Sequence, residues 1–341
     1  GMGADANGAF CVFDGNKGRM SLNFGDLAYI GNMERLGVSL TKVRKFLGGE
    51  IDCVACDMHP GYVSREYGRE VAGEIGCDLI EVQHHVAHVY SCAFEHGLAK
   101  DGFVGIACDG SGYGSDGKIW GGDVFLDDKR VGSLEEQMMV GGESAVLDPR
   151  KMLFGIVRRF LSDDEIMKLK MFDESEANVL SRQADAGFNV ALTTSSGRVL
   201  DAVSAFLGVC RKRSYAGEPA IALEKYALLA KPFELEPVIA RKDRWILDTT
   251  RLFEFIYENI EKDKRRLAAT AHHYLASGLF EIARKYDRDR RVVFSGGVGY
   301  NSIISGFLQK RGVLVNREVA CGDYGIGFGQ CAYVGLNKGG F

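Results

Sequence analysis

Short apolar runs alternate with amphipathic stretches over the first third of the chain. Two apolar segments within residues 9–24 flank Asp14-Gly15-Asn16, which predicts a β-hairpin closed by a DG turn. Further apolar runs predict strands at 51–57 and 79–83. Amphipathic stretches that end near glycines predict helices at 39–47, 65–76 and 85–96. This alternation of strands with helices predicts a mostly parallel α/β sheet.

The strand pattern restarts at residue 104. An apolar run at 104–109 leads into a glycine-rich turn at 110–114, and a second apolar run returns at 119–125. Two halves that each open with a hairpin predict a duplicated α/β fold, with two lobes around a cleft.

The middle of the chain, from about 150 to 285, is predicted to be largely helical. Its amphipathic stretches are 150–161, 174–187, 198–210, 249–260 and 264–286. Strands follow at 291–294 and 313–316, with a last helix near the end. We therefore expect a first lobe at 3–101, a second lobe at 102–335 containing the helical insertion, and a final helix and tail at 325–341.

The composition is that of a globular protein. Hydrophobic residues make up 46% and charged residues 26%, close to the averages for folded domains, and no apolar run has the length of a membrane span. The 42 basic and 46 acidic residues leave a net charge of −4, which argues against a protein that coats nucleic acid. The 44 glycines are about double the usual share, so the backbone is expected to turn tightly or approach a ligand in many places.

The cysteines predict a reducing compartment. The chain has 9 of them, an odd number, and most stand in apolar runs. Cys53 and Cys56 form a lone CxxC in a strand-like run, for which a structural role is favoured over a metal or redox role. The start has neither a basic leader nor an apolar core, and Gly1 before Met2 is typical of a cleaved tag. We therefore expect a complete, short cytoplasmic protein.

The densest polar motif is Gln83-His84-His85-Val86-Ala87-His88. Four residues apart at a helix start, His84 and His88 would present both rings on one face, as metal-chelating pairs do. The alternative is a helix N-terminus with two surface histidines and one core histidine.

Two aspartates follow strand-like runs and could complete a metal site. Asp109 ends a buried strand just before glycines, and Asp323 stands between a strand and a helix. The carboxyl end of an α/β strand is a common place for a ligand contact, but an aspartate also caps turns well.

Three further segments are candidates for binding a nucleotide. Glycine turns at 110–114 and 295–301 follow apolar strands, where exposed backbone N–H groups bind anions, although tight hairpin turns need the same glycines. The segment 195–203 opens a helix with a serine cap. One turn in, Asp201 would accept hydrogen bonds from a ribose or complement the helix dipole.

Together, the ordered motifs resemble the carboxy-terminal carbamoyltransferase domain of the hydrogenase maturation protein HypF. That family belongs to the actin/hexokinase/Hsp70-like superfamily and is related to the tRNA threonylcarbamoyl transferases. The resemblance covers nearly the whole chain and rests on the motifs at 24–27, 56–62, 82–88, 109–114, 119–122, 141–143, 195–201, 215–218, 295–301 and 322–330. It implies a duplicated actin-like (ribonuclease H-like) α/β fold around a nucleotide cleft.

The resemblance also implies a ligand set. His84, His88, Asp109 and Asp323 match the family's metal ligands, which hold Zn²⁺ or Fe²⁺ at the phosphate of a carbamoyl-adenylate. Asp201 and Glu218 match residues near the ribose. The remaining nucleotide contacts, for ATP, carbamoyl-adenylate or AMP, are Gly110, Ser111, Gly112, Gly197, Gly296, Gly297 and Asn301. None of these residues is assigned a catalytic role beyond binding.

The implied reaction needs two partners. The carbamoyl group passes from carbamoyl-adenylate to the carboxy-terminal cysteine of a HypE-like protein, and it becomes a cyanide ligand of the nickel–iron hydrogenase. With 341 residues, the chain has no room for the family's acylphosphatase-like, zinc-finger and adenylate-synthesising domains. We therefore expect a separate protein to supply the carbamoyl-adenylate. We expect neither a membrane nor a nucleic acid as a partner.

Two departures from the family motifs keep other functions open. Where the family has Gly-Gly-Glu-Leu-Lys-Asn, this chain has the sequence from Gly3 to Gly8, so the lysine and asparagine that face the cleft are replaced by Asn7 and Gly8. Val86 replaces the middle histidine of the histidine motif. The alternatives are a carbamoyltransferase acting on a small molecule or on tRNA, and a catalytically silent nucleotide-binding protein.

Overall fold

The computed structural model describes residues 1–48, 51–98, 100–287 and 291–337. The strands are β1 (Cys11–Phe13), β2 (Gly18–Met20), β3 (Cys53–Asp57), β4 (Asp78–Val82), β5 (Phe103–Tyr113), β6 (Ile119–Leu126), β7 (Lys129–Leu134), β8 (Gln137–Val140), β9 (Val190–Thr193), β10 (Ile239–Arg241), β11 (Trp245–Leu247), β12 (Arg291–Ser295) and β13 (Leu314–Val315). The helices are α1 (Ile30–Leu47), α2 (Val63–Ile75), α3 (His84–Glu95), α4 (Ser144–Leu147), α5 (Pro149–Val157), α6 (Asp163–Lys168), α7 (Glu174–Ala186), α8 (Ser196–Phe206), α9 (Glu218–Ala227), α10 (Thr250–Glu258), α11 (Lys264–Ala283), α12 (Ser302–Gln309) and α13 (Ile326–Asn337).

The amino-terminal hairpin is present as predicted. Strands β1 and β2 pair antiparallel, with Phe13 opposite Gly18. The Asp14 side chain accepts hydrogen bonds from the N–H groups of Asn16 and Lys17 and so closes the turn.

Helix α1 is longer than the predicted segment at 39–47. It begins at Ile30, so the predicted start at Ser39 was wrong, and it ends at the left-handed residue Gly48 as expected. Only Leu36 and Leu40 are buried on this helix. Because so few of its residues face the core, the apolar periodicity over its first turns is too weak to mark the start. Residues 49–50, part of the predicted stop and of the next strand, lie outside the described residues.

Two sheets carry the rest of the strands. Strands β3 and β4 pair parallel, with Asp57 opposite Val82. A nine-stranded sheet runs in the order β10-β11-β7-β6-β5-β12-β13, with β9 pairing both β6 and β8. The parallel pairing expected for the strands of the first third is present in β3 and β4. The nine-stranded sheet is mixed, because β5, β6 and β7 are joined by short connections and pair antiparallel.

The glycine-rich segment at 110–114 is largely strand. Strand β5 continues through the glycines to Tyr113, and its pairing with β6 shifts register between Cys108 and Gly112. The predicted turn was therefore misplaced, and the reversal falls between Tyr113 and Ile119. A bulge of this kind bends the strand and redirects the side chains around it.

The middle of the chain is largely helical, as predicted. Helices α5, α7, α8, α10 and α11 match the amphipathic stretches. The short strands β9, β10 and β11 were not predicted, since segments of three or four residues carry too few positions to show a period. Helix α9, of 10 residues, was also not predicted. The largest buried apolar cluster lies between the nine-stranded sheet and helices α5, α8, α10 and α11.

The last helix, α13, returns to the amino-terminal part of the chain. The Gln330 side chain accepts from the N–H of Gly3 at 2.9 Å and donates to its carbonyl oxygen at 3.2 Å. A Cβ atom on Gly329 would overlap the backbone carbonyl of Ala87 in α3, so α13 and α3 lie backbone against backbone. None of the helices described is both long and apolar enough to cross a membrane.

Candidate metal and nucleotide site

Helix α3 presents both histidines of the motif to the interior. Gln83 caps the helix by accepting from the N–H groups of His85 and Val86, at 2.7 and 3.0 Å. His84 and His88 are each only 1% exposed. The alternative of surface histidines is thus not what the structure shows.

Asp109 and Asp323 lie against these histidines. Nε2 of His84 is 3.5 Å from Oδ2 of Asp109 and 3.8 Å from Oδ1 of Asp323, which is also 3.9 Å from Nε2 of His88. One ligand atom from each of the four residues lies within 4.8 Å of the others. Tetrahedral zinc, with bonds of about 2.0–2.1 Å, separates its ligand atoms by about 3.4 Å, so a small contraction would complete the site.

Asp57, which the sequence analysis did not assign to the site, orients His84. Its Oδ2 lies 2.7 Å from Nδ1 of His84, and the Asp57 side chain is fully buried. With the proton on Nδ1, the lone pair of Nε2 faces the other ligands. The adjacency of β3 and β4 was a signal for this contact, since Asp57 ends one strand and His84 follows the end of the other.

Three buried ring nitrogens of His84 and His88 make no hydrogen bond to the described chain. They are Nε2 of His84 and both ring nitrogens of His88. Burial and the nearby His84 lower the pKa of His88 to about 3, so this ring is neutral. Neutral imidazole with a free lone pair is the form that binds a metal ion.

The carboxylates crowd negative charge into the same space. Burial, reinforced by Asp109, raises the pKa of Asp323 to about 6. Burial opposes protonation of His84, but Asp57 and the other carboxylates outweigh it and raise the pKa of that ring well above its usual value. A divalent cation would relieve this conflict, because it takes the place of the protons that otherwise offset the negative charge.

Backbone groups hold Asp109 in place. Its Oδ1 accepts from the N–H of Gly297 at 3.1 Å, which leaves Oδ2 for the cluster. A Cβ atom on Gly297 would come 2.6 Å from Oδ1, so this approach requires glycine. Gly296 has a φ of 105°, and Gly112 lies against the rings of His84 and His85. These glycines serve close packing around the cluster.

The amino terminus of α8 approaches β5 at the register shift beside Asp109. Gly197 lies against Gly110, and the Ser195 hydroxyl donates to the carbonyl oxygens of Asp109 and Gly110. Asp201, 2% exposed, follows one turn later in α8. Gly110 and Gly197 therefore meet directly beside the metal ligand Asp109, and Asp201 lies one turn further along α8.

Three other predicted nucleotide contacts, Ser111, Glu218 and Asn301, make no contact with the metal ligands that the structure records. Ser111 is exposed on β5. The Glu218 side chain accepts from the N–H and hydroxyl of Ser214, and the Asn301 side chain caps α12 by accepting from the N–H of Ile304 at 3.0 Å. In this structure, Glu218 and Asn301 stabilise local turns.

Aromatic rings border the cluster, and the sequence analysis gave them no role. The rings of His59 and Tyr62 stack with centroids 4.2 Å apart, and Tyr113 meets His59 edge-on at 5.3 Å. Burial, followed by the negative charge of Asp57, raises the pKa of Tyr62. The phenol is thus neutral beside the carboxylates.

Two other candidate groupings have structural explanations. Cys53 and Cys56 lie three apart on β3, so their side chains point to opposite faces, and burial raises the pKa of Cys56 to about 12. A second cluster of possible ligands, Cys92, Glu95 and His96, binds backbone groups of residues 314–319 instead.

Comparisons with known proteins assign the chain to a family. A family model for the second subdomain of the carbamoyltransferase Kae1-like domain matches residues 105–330, and a model for the HypF Kae1-like domain matches residues 1–95. The chain is 36% identical to the probable carbamoyltransferase HypF of Methanocaldococcus jannaschii, over 98% of the chain and 46% of that protein. It is 28% identical to a carbamoyltransferase HypF homolog of Cupriavidus necator, over 96% of the chain and 89% of that protein.

Solved structures give the same result. Full-length HypF in its phosphate- and nucleotide-bound form superposes with a TM-score of 0.90 at 29% identity, over 99% of this chain and 46% of that one. HypF of T. kodakarensis superposes with a TM-score of 0.91 at 32% identity, over 99% of this chain and 47% of that one. These matches confirm the expected actin-like α/β fold. The chain spans about half the length of the M. jannaschii relative and of both solved structures.

Proposed function

This chain belongs to the HypF family of Kae1-like carbamoyltransferase domains, and from that premise we propose that it transfers a carbamoyl group from carbamoyl-adenylate to a protein cysteine thiol. The observation that carries the proposal is the cluster of His84, His88, Asp109 and Asp323, with its inward-facing imidazole nitrogens. The phosphate and nucleotide bound to a solved relative support an adenylate as the donor.

The four side chains fit Zn²⁺ or Fe²⁺. Two imidazoles with two carboxylates suit these ions better than Mg²⁺, which prefers oxygen ligands. His84, His88, Asp109 and Asp323 would hold the ion. When bound, the ion supplies positive charge that neutralises and orients the adenylate phosphate.

The chain's own groups position the donor. Asp57 keeps a proton on Nδ1 of His84 and so fixes the direction of Nε2. The N–H of Gly297 holds Asp109. Gly197 lets the first turn of α8 pack against the backbone of β5 at Gly110, beside Asp109. The phosphate and ribose would lie along this edge, with the ribose beside Asp201.

The transfer itself balances without a further reagent. A cysteine thiolate attacks the carbamoyl carbon and forms a C–S bond. The bond between that carbon and the phosphate oxygen breaks, and AMP leaves with the electron pair. The thiol proton passes to a base or to solvent before the attack. The chain therefore needs to bind the donor, align it and admit a thiolate.

We place this reaction in hydrogenase maturation. The donor would come from a carbamoyl-adenylate-producing protein or domain, and the acceptor would be a HypE-like protein with a carboxy-terminal cysteine. The transferred group would become a cyanide ligand of the nickel–iron centre. The 36% identity to a HypF protein over nearly the whole chain supports this assignment.

The proposal is tested by giving the purified, zinc-loaded chain synthetic carbamoyl-adenylate and a peptide that ends in cysteine. Mass spectrometry should detect one carbamoyl group on the peptide, together with release of AMP. His88→Gln should abolish both transfer and stoichiometric zinc. His273→Gln, a change on α11 outside the cluster, should retain both. Transfer that persists without zinc, or no transfer by the zinc-loaded protein, would contradict the proposal.

A further inference from the structure

Helix α8 carries a group of buried polar side chains without hydrogen-bond partners. Arg198, Asp201 and Ser204 are spaced three residues apart and are at least nine-tenths buried. Nε and Nη1 of Arg198, both carboxylate oxygens of Asp201 and the hydroxyl oxygen of Ser204 have no hydrogen-bond partner among the described residues. Buried polar atoms are nearly always hydrogen-bonded in folded proteins, so these side chains are expected to bind a polar ligand or ordered water.

The distribution of such atoms supports this inference. Over the described residues, eleven buried side-chain nitrogen or oxygen atoms lack a partner. Nine of them belong to the group on α8 or to the histidine motif of α3. Since both helices begin beside Asp109, the unsatisfied atoms concentrate around one region of the protein.

Arg198 and Asp201 form a buried ion pair that leaves hydrogen-bonding capacity on both side chains. Nη1 of Arg198 lies 2.8 Å from Oδ2 of Asp201, but neither atom is aligned for a hydrogen bond. Removing both charges from water costs more than a poorly aligned contact returns. A ligand that supplies an acceptor to the guanidinium and donors to the carboxylate would offset that cost.

The guanidinium of Arg198 extends to Gly110. Its Nη2 lies 3.2 Å from the position that a Cβ atom on Gly110 would occupy. Gly110 follows the metal ligand Asp109, and the first turn of α8 lies against it. The N–H groups at the start of α8 carry partial positive charge, so the helix terminus and Arg198 favour an anion at the same place.

The local charge also favours an anion. Arg213 is a second basic group that acts on Asp201, in addition to Arg198. Burial, followed by the charge of Arg198, lowers the pKa of Arg213, as expected where cations crowd together. A divalent cation at the metal site would share its charge with Asp109 and Asp323, so Arg198 would add to the positive charge available to a bound phosphate.

We propose that Arg198 binds a phosphate oxygen of the nucleotide, through its edge at Gly110, next to the ribose position already proposed beside Asp201. This assignment rests on the proposed nucleotide-binding function and adds to it the group that recognises the charge of the phosphate. The two side chains lie one turn apart on α8. Arg198 would bind the phosphate of a nucleoside monophosphate, and Asp201 would bind its ribose.

The test compares AMP with adenosine by calorimetry on the zinc-loaded, full-length chain. Arg198→Gln removes the charge and is expected to weaken AMP binding by about tenfold or more, while adenosine binding changes by less than about threefold. Arg182→Gln, which alters an exposed arginine on α7, should change neither affinity. Arg198→Lys keeps a charge for Asp201 but loses the forked geometry, and it should weaken AMP binding to a smaller extent.

Each result has a defined meaning. If Arg198→Gln weakens AMP and adenosine equally, or changes neither, Arg198 does not bind the phosphate. If that variant fails to fold, the same comparison is made with Arg198→Lys, for which equal effects on the two ligands overturn the assignment. A wild-type protein that binds zinc but neither AMP nor adenosine would overturn the proposed nucleotide function itself.

Discussion

Oδ2 of Asp57 lies 2.7 Å from Nδ1 of His84, and both side chains are almost completely buried. This contact joins the end of β3 to the first residue of α3. It determines which nitrogen of His84 is available to the other ligands, so the metal site depends on a carboxylate that does not itself face the metal.

Asp57→Asn is expected to weaken zinc binding by about 10- to 100-fold, because an amide does not fix the ring tautomer as a carboxylate does. The measurement is a competition titration against a chromogenic chelator. Asp52→Asn, at an exposed position on the same segment, serves as the control and should leave the affinity unchanged. Equal zinc affinities for the wild type and Asp57→Asn would show that the contact does not orient His84.

Asp201→Asn is expected to weaken AMP and adenosine binding by similar factors, because both ligands carry the ribose. It should also remove the preference for AMP over 2′-deoxy-AMP that a carboxylate bound to the sugar hydroxyls would create. Calorimetry with the three ligands measures both effects. A variant that still prefers AMP over its deoxy analogue would place the sugar elsewhere.

Gly329→Ala is expected to destabilise the protein by about 1–3 kcal/mol, because the added methyl group would overlap the carbonyl of Ala87 and push α13 away from α3. Zinc affinity should fall as well, since α3 carries both histidines and Asp323 directly precedes α13. Urea denaturation measures the stability.

Gly306→Ala is the matched control for this helix substitution. Gly306 lies inside α12 with nothing within 4 Å of the position of its Cβ, so alanine should stabilise the protein by about 0.5–1 kcal/mol. If both variants changed the free energy of unfolding in the same direction, the close contact between α13 and α3 would not be a constraint.

The stability of the protein is expected to fall with pH below about 6.5, in part because of His272. This ring is fully buried in α11, where its Nδ1 contacts the carbonyl oxygen of Ala268 at 2.8 Å, and burial lowers its pKa. Below the usual histidine pKa, the unfolded chain binds a proton that the folded chain excludes. The free energy of unfolding therefore decreases as the pH falls, by up to about 1.4 kcal/mol per pH unit for this group.

His272→Leu should reduce that dependence while keeping the site apolar. Urea denaturation of the wild type and the variant at several values between pH 8 and pH 5 gives the difference, in which the contributions of the other buried histidines cancel. Identical slopes for the two proteins would show that His272 does not contribute.

The amino-acid sequence alone predicted much of the local structure. The DG turn between β1 and β2, the glycine stops of α1 and α2, and the helices with clear apolar periodicity are all present. His84, His88, Asp109 and Asp323 were chosen from residue type, spacing and family resemblance, and the structure brings them together. The turns and helices depend on residues that are close together in the sequence, which is why a sequence pattern predicts them.

Only the tertiary structure decided which distant groups meet. The contact of Asp57 with His84 depends on the register of β3 with β4, and the place of Asp323 depends on the return of α13 to α3. The continuation of β5 through its glycines, and the partnerless atoms of Arg198, likewise follow from the elements packed around them. Local patterns encode backbone preference and amphipathicity, whereas hydrogen-bond satisfaction and charge balance depend on groups that are far apart in the chain and close together only in the fold.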